Sequence, residues 1–453
     1  SFYQINEDRL LSLFGRFSYN YDNKYLLSAS VRKDGSSRFG SDNFWGTFPS
    51  FSAGWRVDKE NFMSKINFIN TLKIRYGYGE TGNNKISRYL AYGNIMTANY
   101  AFENVQFFGN AVGSIENKDL GWEKTLSHNM GLDLGLWRSK FFISLDYYQK
   151  KTSGMLLNVP VPLTTGFSNG ITNIGTMKNS GFELEFISKN ISGAKFKWVT
   201  NFNISKNENV IESLGPDNTP IPTGFQNQTQ IHKVGHPAFS YYMYDAIGVY
   251  LNQDDVDNSP SRVNTIPGDV KYRDVNEDGL INEEDITIVG NPNPDYNWGL
   301  TNTFSHKFLE LSILLQGQQG GKVYGLLGRA IDNPSGAVSH NRPSHWKNRW
   351  RSETDTGDGV TPRIDGTTSG LYDTRWLYDA TYWKIKNITL TATLPDNFIK
   401  GFETAKVYFS GENIFMVDNY KIGFSPEALN FSGGDYGGYP LARVLTLGLN
   451  LQF

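Results

Sequence analysis

Large apolar residues alternate with polar or small ones over long stretches of the chain. The terminal eleven residues read RVLTLGLNLQF, and the apolar positions are Leu445, Leu447, Leu449, Leu451 and Phe453. In a β-strand, successive side chains point to opposite faces, so this segment has one apolar face and one polar face. Its length matches the about 9–11 residues that a tilted strand needs to cross a bilayer. The pattern predicts a membrane-spanning strand at the end of the chain.

The same period of two recurs in pairs that are separated by short polar turns, which predicts antiparallel hairpins. The paired segments lie within residues 11–31, 130–147, 182–202 and 298–315, and further strands within 388–394 and 406–411. About 14 segments share the pattern, and helical periodicity is scarce. Tight turns, such as residues 58–61, alternate with long connections, such as 80–116 and 206–234. This asymmetry is typical of outer-membrane barrels, which have short periplasmic turns and long external loops.

A soluble β-sandwich or propeller would show the same alternation, because one buried face is enough to produce it. Two features favour a membrane barrel. Many segments run to about 10 residues, whereas soluble strands average about 5–6. Aromatic residues also recur near strand ends, where membrane-interface girdles would place them: Tyr19, Tyr21, Tyr25, Tyr147 and Tyr148. We therefore expect an all-β fold, a transmembrane antiparallel β-barrel, with one continuous domain over residues 1–453.

Composition narrows the functional class. Of the 453 residues, 14% are aromatic and 19% charged, and Lys plus Arg (43) nearly balances Asp plus Glu (45), so no basic field favours nucleic acid. Cysteine is absent, which excludes disulfides and thiol catalysis. No run of about 18 apolar residues could form a spanning helix. Residues 1–13 lack a signal-peptide pattern, so we expect the chain of an exported barrel to be a mature or truncated piece.

The sharpest local motif is the run DVNEDGLINEED at residues 274–285. Its oxygen-bearing positions follow the spacing of an EF-hand calcium loop, with Gly279 at the sixth position for the sharp turn. The predicted ligands are Asp274, Asn276, Asp278, the carbonyl of Leu280, Asn282 and Asp285. Asp at the twelfth position replaces the longer bidentate Glu, a change that weakens such a site or shifts its geometry. We expect Ca²⁺ in a structural role that braces an external loop; a loop that only caps itself through Asx turns is the alternative.

No catalytic constellation stands out. Among six histidines, only His232 and His236 have an i, i+4 spacing, and Gly235 and Pro237 argue against the helix that such a metal site would need. No G-x-S-x-G motif occurs, and no Ser-His-acid set is apparent. We therefore expect that the protein is not an enzyme.

Residues 344–383 are rich in Trp and Tyr, with basic side chains between them. Flat aromatic faces beside hydrogen-bonding groups suit stacking on sugar rings, but they suit barrel packing or a membrane girdle equally well. The candidate ligand-binding residues are Trp346, Trp350, Trp376 and Tyr378.

Segments along the whole chain resemble the SusC/RagA-like TonB-dependent outer-membrane transporters of Bacteroidetes. They are LLSLFGRFSYNYDNKYLLSASVRKDGSSRFG (10–40), FPSFSAGWRVDKENF (48–62), LKIRYGYGETGN (72–83), the run at 268–324 that begins GDVKYRDVNEDG, and the terminal LTLGLNLQF. Their order, and not only their presence, is similar to that in the C-terminal part of such transporters.

This resemblance implies the C-terminal part of a barrel of about 22 strands, whose lumen is closed by an N-terminal plug. It implies import of oligosaccharides, or for some members peptides, driven by a TonB–ExbB–ExbD complex and assisted by a SusD-like lipoprotein. The plug has no counterpart here. We expect the plug and the remaining strands on another chain or an upstream segment, because an open sheet edge in lipid leaves backbone groups unsatisfied. The resemblance also makes the aromatic C-terminal residue, Phe453, an outer-membrane assembly signal.

We therefore expect a protein of the outer membrane of a Gram-negative, Bacteroidetes-like bacterium, in contact with membrane lipid, that imports a glycan or peptide substrate. The alternative is a passive barrel or an adhesin, whose external loops bind a partner without energy coupling.

Overall fold

A computed structural model of the chain describes residues 7–103, 105–215, 217–224, 229–332, 341–364, 371–395, 398–399, 401–420, 425–427, 434–435 and 438–453. The first strands are β1 Leu10–Tyr21, β2 Tyr25–Ser36, β3 Trp45–Arg56, β4 Ile69–Asn83, β5 Ile95–Phe102, β6 Val105–Val112, β7 Glu123–Leu136, β8 Phe141–Ser153, β9 Leu156–Pro160, β10 Asn169–Asn173, β11 Thr176–Ser192, β12 Phe196–Ser213 and β13 Ile221–Thr223. The others are β14 Gln230–His232, β15 Ser240–Met243, β16 Ala246–Val249, β17 Val270–Tyr272, β18 Thr287–Gly290, β19 Tyr296–His306, β20 Leu309–Gln319, β21 Lys322–Gly325, β22 Leu377–Asp379, β23 Tyr382–Thr393, β24 Thr404–Asp418, β25 Gly434–Asp435 and β26 Val444–Gln452. The described α-helices are α1 Gln253–Asp257 and α2 Leu326–Asp332.

The chain divides into two compact units. The first comprises Ser1–Asn190, Val199–Ile221 and Lys233–His236, and the second comprises Ile191–Trp198, Pro222–His232 and Pro237–Phe453. Long antiparallel strands follow the order β1-β2-β3-β4-β7-β8-β11-β12 in the first unit and β19-β20-β23-β24-β26 in the second. The all-β fold predicted from the alternation is confirmed. A single domain over residues 1–453 stays a prediction.

The long strands extend further than the apolar alternation alone predicts. β4 continues to Asn83 and β12 to Ser213, so the connections predicted at residues 80–116 and 206–234 begin later. The hairpin predicted within residues 182–202 has its turn at 193–195, because β11 continues to Ser192 and β12 begins at Phe196. The extra length is richer in polar residues and is held in part by side-chain amides: Asn207 and Asn209 both donate to Asn179 Oδ1, at 3.2 and 2.9 Å.

Cross-strand register places the predicted apolar positions together on one face of each unit. In the first unit Leu132 is opposite both Ile74 and Leu145. In the second unit Phe409 is opposite both Leu390 and Leu447. Leu132 is half-buried and the other five side chains are exposed, with Leu447 at 76%. An exposed, continuous apolar face of this extent is the surface that a lipid-spanning sheet requires.

The opposite face is polar and carries its own ion network. In the first unit Arg75 on β4 forms paired hydrogen bonds with Asp133 on β7, at 2.9 and 3.0 Å, and with Asp146 on β8, at the same distances. Arg75 reaches β8 across Gly131, where an added Cβ would lie 2.5 Å from the guanidinium carbon. The planar guanidinium suits two such carboxylates at once, so this network ties three strands together.

Aromatic rings stand at the edge that carries the short turns. Tyr21 lies between Tyr19 and Tyr25 near the first turn, with ring centroids 6.5 and 6.4 Å away. The predicted position near strand ends is confirmed for these three residues, and their role in a membrane-interface girdle stays a prediction. The girdle prediction is wrong for Tyr148, which faces the polar side and donates to Asn207 at 2.9 Å, because adjacent strand residues point to opposite faces. Tyr147 is on the apolar face but lies within the strand, opposite Met130.

The C-terminal Phe453 is 92% exposed, and its ring centroid is 6.4 Å from that of Phe402. Its role as an assembly signal stays a prediction. Among the described residues, no helix has both the length and the apolar character needed to cross a bilayer.

The two faces of β26 predict opposite responses to an added charge. Replacing Leu447 with Arg places a cation against lipid, which we expect to lower the free energy of unfolding by about 2–4 kcal/mol. Thr446→Arg, one residue away on the polar face, is the matched control and should change it by less than about 1 kcal/mol. Denaturant unfolding of the full-length protein from lipid vesicles measures both values. Equal losses in the two variants would contradict the assignment of faces.

Candidate functional site

The predicted metal-binding and ligand-binding residues fall in the second unit, in a loop module that we define as residues 237–295, 320–332, 341–364 and 371–381. This module carries β15 to β18, β21, β22 and both described α-helices. Its core has two buried clusters: Tyr241, Met243, Tyr324, Leu326 and Trp376 form one, and Tyr244, Val270, Tyr272 and Ile281 form the other. The long connections of this unit are therefore packed structures and not extended loops.

The acidic loop at residues 274–285 lies between β17 and β18 and is closed by its own hydrogen bonds. Asp274 accepts the backbone N–H groups of Glu277 and Gly279, at 2.7 and 2.9 Å, and Gly279 has a φ of +81° as the sharp turn requires. Asp285 is fully buried and accepts the N–H groups of Val275 and Asn282, each at 2.8 Å. The loop thus has the fold that its spacing predicts, with both carboxylates turned toward backbone donors.

The remaining predicted ligands lie on the exposed side of the same loop. Asn276 Oδ1 accepts the N–H of Asp278 at 3.2 Å, and Asp278 Oδ1 accepts that of Leu280 at 2.8 Å. Asn282 Oδ1 caps the short 3₁₀ helix by accepting the N–H of Glu284 at 2.8 Å. In the described part of the chain, no three His, Cys, Asp or Glu side chains are arranged to hold a metal ion. The oxygen donors suit a hard cation in kind, and in this conformation they serve as Asx caps.

A buried ion pair connects this loop to the aromatic cluster. Ile281 anchors the loop in the core that contains Tyr272, and the Tyr272 hydroxyl donates to Asp373 at 3.0 Å. Asp373 is fully buried and accepts two side-chain hydrogen bonds from Arg375, at 2.8 and 3.0 Å. Burial alone would lower the pKa of the Arg375 guanidinium, but the charge and hydrogen bonds of Asp373 outweigh burial and raise that pKa above its ordinary value. The guanidinium carbon also lies 4.3 Å from the ring centroid of Trp376.

The four predicted ligand-binding aromatics are not equally accessible. Trp346 and Trp376 are 5% and 1% exposed, and both indole N–H groups donate to Asp332. Trp350 and Tyr378 are half-buried; the Trp350 indole donates to the carbonyl of Leu251 at 2.9 Å. Two of the four rings therefore pack inside the module, and the ligand-binding assignment stays a prediction for all four.

Several organising residues in this unit were missed by the sequence analysis. Asp332 receives both indole donors and lies 2.8 Å from His345 Nε2, and no local signal marks it. Asp373 could have been found, because it caps a 3₁₀ helix by accepting the N–H of Arg375. Lys384 on the polar face of β23 is almost fully buried and donates to Glu427 at 2.6 Å. This ion pair fixes Glu427 against that strand.

The polar face of the first unit contains two neighbouring grooves, of about 510 and 660 Å³. The residues that line both grooves, Ser28, Ser52, Gly77 and Asn129, have short side chains. Small side chains at these positions leave room on this face for another molecule or chain segment.

Comparison with known proteins assigns the fold to a family. A family model described as TonB dependent receptor-like, beta-barrel, matches residues 1–267, more than half of the chain. The chain is 34% identical over 473 aligned residues to TonB-dependent receptor P3 of Formosa agariphila, across 99% of this chain and 46% of the relative. The chain belongs to the TonB-dependent receptor family. Receptors of this family lie in the outer membrane of Gram-negative bacteria and are not enzymes, so both expectations are confirmed at that level.

A further relative and a solved structure support the resemblance to SusC and RagA. TonB-dependent receptor SusC of Bacteroides thetaiotaomicron is 32% identical over 464 residues, across 98% of this chain and 44% of the relative. The solved structure of the RagAB peptide transporter superposes with a TM-score of 0.85 at 26% identity, across 98% of this chain and 48% of that chain. The chain spans about half the length of the relatives that it matches.

The ion pair inside the loop module leads to a stability prediction. Asp373→Ala leaves Arg375 buried without its partner, which we expect to destabilise the module by about 3–5 kcal/mol. Hydrogen exchange of the full-length protein measures this as lost protection in β17 and β22. Asp257→Ala, at an exposed position on α1, is the control and should preserve protection. Unchanged protection in the Asp373 variant would show that the pair does not hold the module together.

Proposed function

We propose that the chain is part of an energised importer of large nutrients, oligosaccharides or peptides, across the outer membrane. The observation that carries this proposal is the match over 98% of the chain to the RagAB peptide transporter and to TonB-dependent receptor SusC. The apolar face contacts lipid, and the polar face lines a lumen. Energy comes from a TonB–ExbB–ExbD complex that acts on a plug in that lumen.

The packed loop module supports a recognition role on the external side. Its rigid core holds Trp350 and Tyr378 half-exposed, and aromatic faces of this kind stack on sugars or on peptide side chains. A SusD-like lipoprotein is the proposed partner that holds the substrate against these loops. The grooves on the polar face of the first unit give room for the plug or for a passing substrate.

Uptake by intact cells tests the proposal. We expect the native protein to co-purify with a surface lipoprotein, and to import oligosaccharides or peptides in a strain with TonB but not in a matched strain without it. Trp350→Ala should reduce uptake by about twofold to tenfold, because aromatic stacking contributes about 0.5–1.5 kcal/mol, whereas Trp45→Ala, on the apolar face of β3, should not. TonB-independent uptake, or adhesion without uptake, would favour a passive barrel or an adhesin instead.

We also propose that the acidic loop at residues 274–285 binds Ca²⁺ as a structural cofactor. The support is the ligand spacing, the turn at Gly279 and the connection from this loop through Tyr272 to Asp373. Asp274, Asn276, Asp278, the Leu280 carbonyl, Asn282 and Asp285 would hold the ion. Each carboxylate oxygen that accepts one N–H retains a second lone pair for this purpose.

Calcium should therefore stabilise the loop module. We expect millimolar Ca²⁺ to raise Tm of the full-length protein relative to chelator, and Asp278→Asn to reduce the rise, because it removes a ligand charge but preserves the side-chain shape. Glu277→Gln, an adjacent residue outside the ligand set, is the control and should behave as the wild type. Calorimetric unfolding measures the change in Tm. An identical Tm with calcium and with chelator would contradict calcium binding and favour a loop that only caps itself through Asx turns.

A further inference from the structure

A cluster of exposed cations lies at the short-turn edge of the first unit. This basic turn cluster consists of Lys59 and Lys65 between β3 and β4, Arg138 and Lys140 in the β7–β8 turn, and Lys189 near the end of β11. Backbone hydrogen bonds connect these turns. The N–H of Trp137 donates to the carbonyl of Phe68 at 2.6 Å, and that of Lys189 donates to the carbonyl of Lys140 at 2.8 Å.

The neighbouring acids do not neutralise this cluster. Asp58 is 2.7 Å from Arg56, and that guanidinium holds the pKa of the Asp58 carboxyl below its usual range. Glu60 accepts hydrogen bonds from Tyr25 and Trp55, which lower the pKa of its carboxyl. Within the described ranges, none of the five basic side chains of the cluster has an acidic partner. The edge therefore carries a local excess of positive charge in a chain whose formal net charge is −2.

An aromatic row lies beside these cations, at the end of the lipid-facing surface. The ring of Trp137 is 6.1 Å from Phe68 and 5.6 Å from Phe141, and Phe141 stacks on Phe186 at 6.0 Å. Lys140 Nζ lies 5.5 Å from the Phe141 centroid. Aromatic rings of this kind occupy the membrane interface, where long basic side chains extend into the headgroup layer. The cations are thus at headgroup level.

The turn that carries two of the cations is conformationally unusual. Trp137, Arg138 and Ser139 have φ values of +51°, +58° and +58°, a left-handed run without glycine. Each such residue costs roughly 1–2 kcal/mol relative to a right-handed conformation. The adjacent connection supports the strained turn, since the Ser139 N–H donates to Asn70 Oδ1 at 3.0 Å. The fold thus retains a costly turn that places an aromatic residue and a cation side by side.

We propose that the basic turn cluster binds the headgroups of anionic phospholipids in the periplasmic leaflet. In barrels of this kind the short turns lie on the periplasmic side, where the leaflet consists of phospholipids. Continuity with the lipid-facing aromatic row favours a lipid over an acidic protein as the partner. A basic side chain close to an anionic surface contributes a factor of about five in binding. This inference does not depend on which nutrient is imported.

Lipid retention by the full-length protein tests the inference. The protein is reconstituted in nanodiscs of phosphatidylcholine with a minor fraction of phosphatidylglycerol, and native mass spectrometry measures the ratio of the two lipids that stay bound. We expect the wild type to be enriched in phosphatidylglycerol. The triple variant R138Q/K140Q/K189Q should lose about tenfold or more of that enrichment. The matched control K85Q/K150Q/K233Q removes the same charge outside the cluster and should retain it.

Two further measurements separate lipid binding from misfolding. The charge-preserving variant R138K/K140R/K189R should retain the enrichment. Raising the ionic strength to about 1 M, where the Debye length is about 3 Å, should release phosphatidylglycerol from the wild type without any mutation. Enrichment that persists in the glutamine variant or at high salt would overturn the inference. An equal loss in the control variant would also overturn it, by showing an effect of net charge alone.

Discussion

The rest of this structure depends on one constraint: backbone N–H and C=O groups must be hydrogen-bonded in a medium without water. Each N–H and C=O group inside lipid must pair with another backbone group, and long antiparallel ladders achieve this across the sheet. Once the backbone is fixed in this way, side chains can only alternate between two environments. The rows that include Ile74, Leu132 and Leu145 on one face, and Arg75, Asp133 and Asp146 on the other, follow directly from that geometry.

Charge is distributed in this fold according to the same constraint. On the polar face, Arg75 is satisfied by two carboxylates, and Lys384 by Glu427. In the loop module, Asp373 and Arg375 are buried together, which stabilises them only because their hydrogen bonds are complete. At the short-turn edge of the first unit, the five basic side chains of the turn cluster have no acidic partner among the described residues, and there they can meet headgroups.

The alternation in the sequence was sufficient to predict many of the long strands, their faces and several hairpins, because side chains of period two alternate between the two environments. It missed β5 and β6, which lie within the connection predicted at residues 80–116. It underestimated strand length, since residues such as Asn179 and Asn207 extend the ladder without an apolar face. The acidic loop was predicted from local spacing, and its turn at Gly279 is where expected. Asp332 was not predictable, because its partners Trp346 and Trp376 are brought to it by tertiary packing. For the same reason, sequence could not distinguish the buried tryptophans from the accessible ones.

The surplus length of β11 has a consequence for the turn that it carries. This strand has 17 residues, whereas about 9–11 suffice to cross the bilayer. The ring of Phe186 lies in the aromatic row, and residues 176–186 already reach that length. The remaining residues, 187–192, continue past the row on the short-turn side for roughly 20 Å along the strand. This end of the strand acts as a spacer that holds its turn in water, clear of the hydrocarbon.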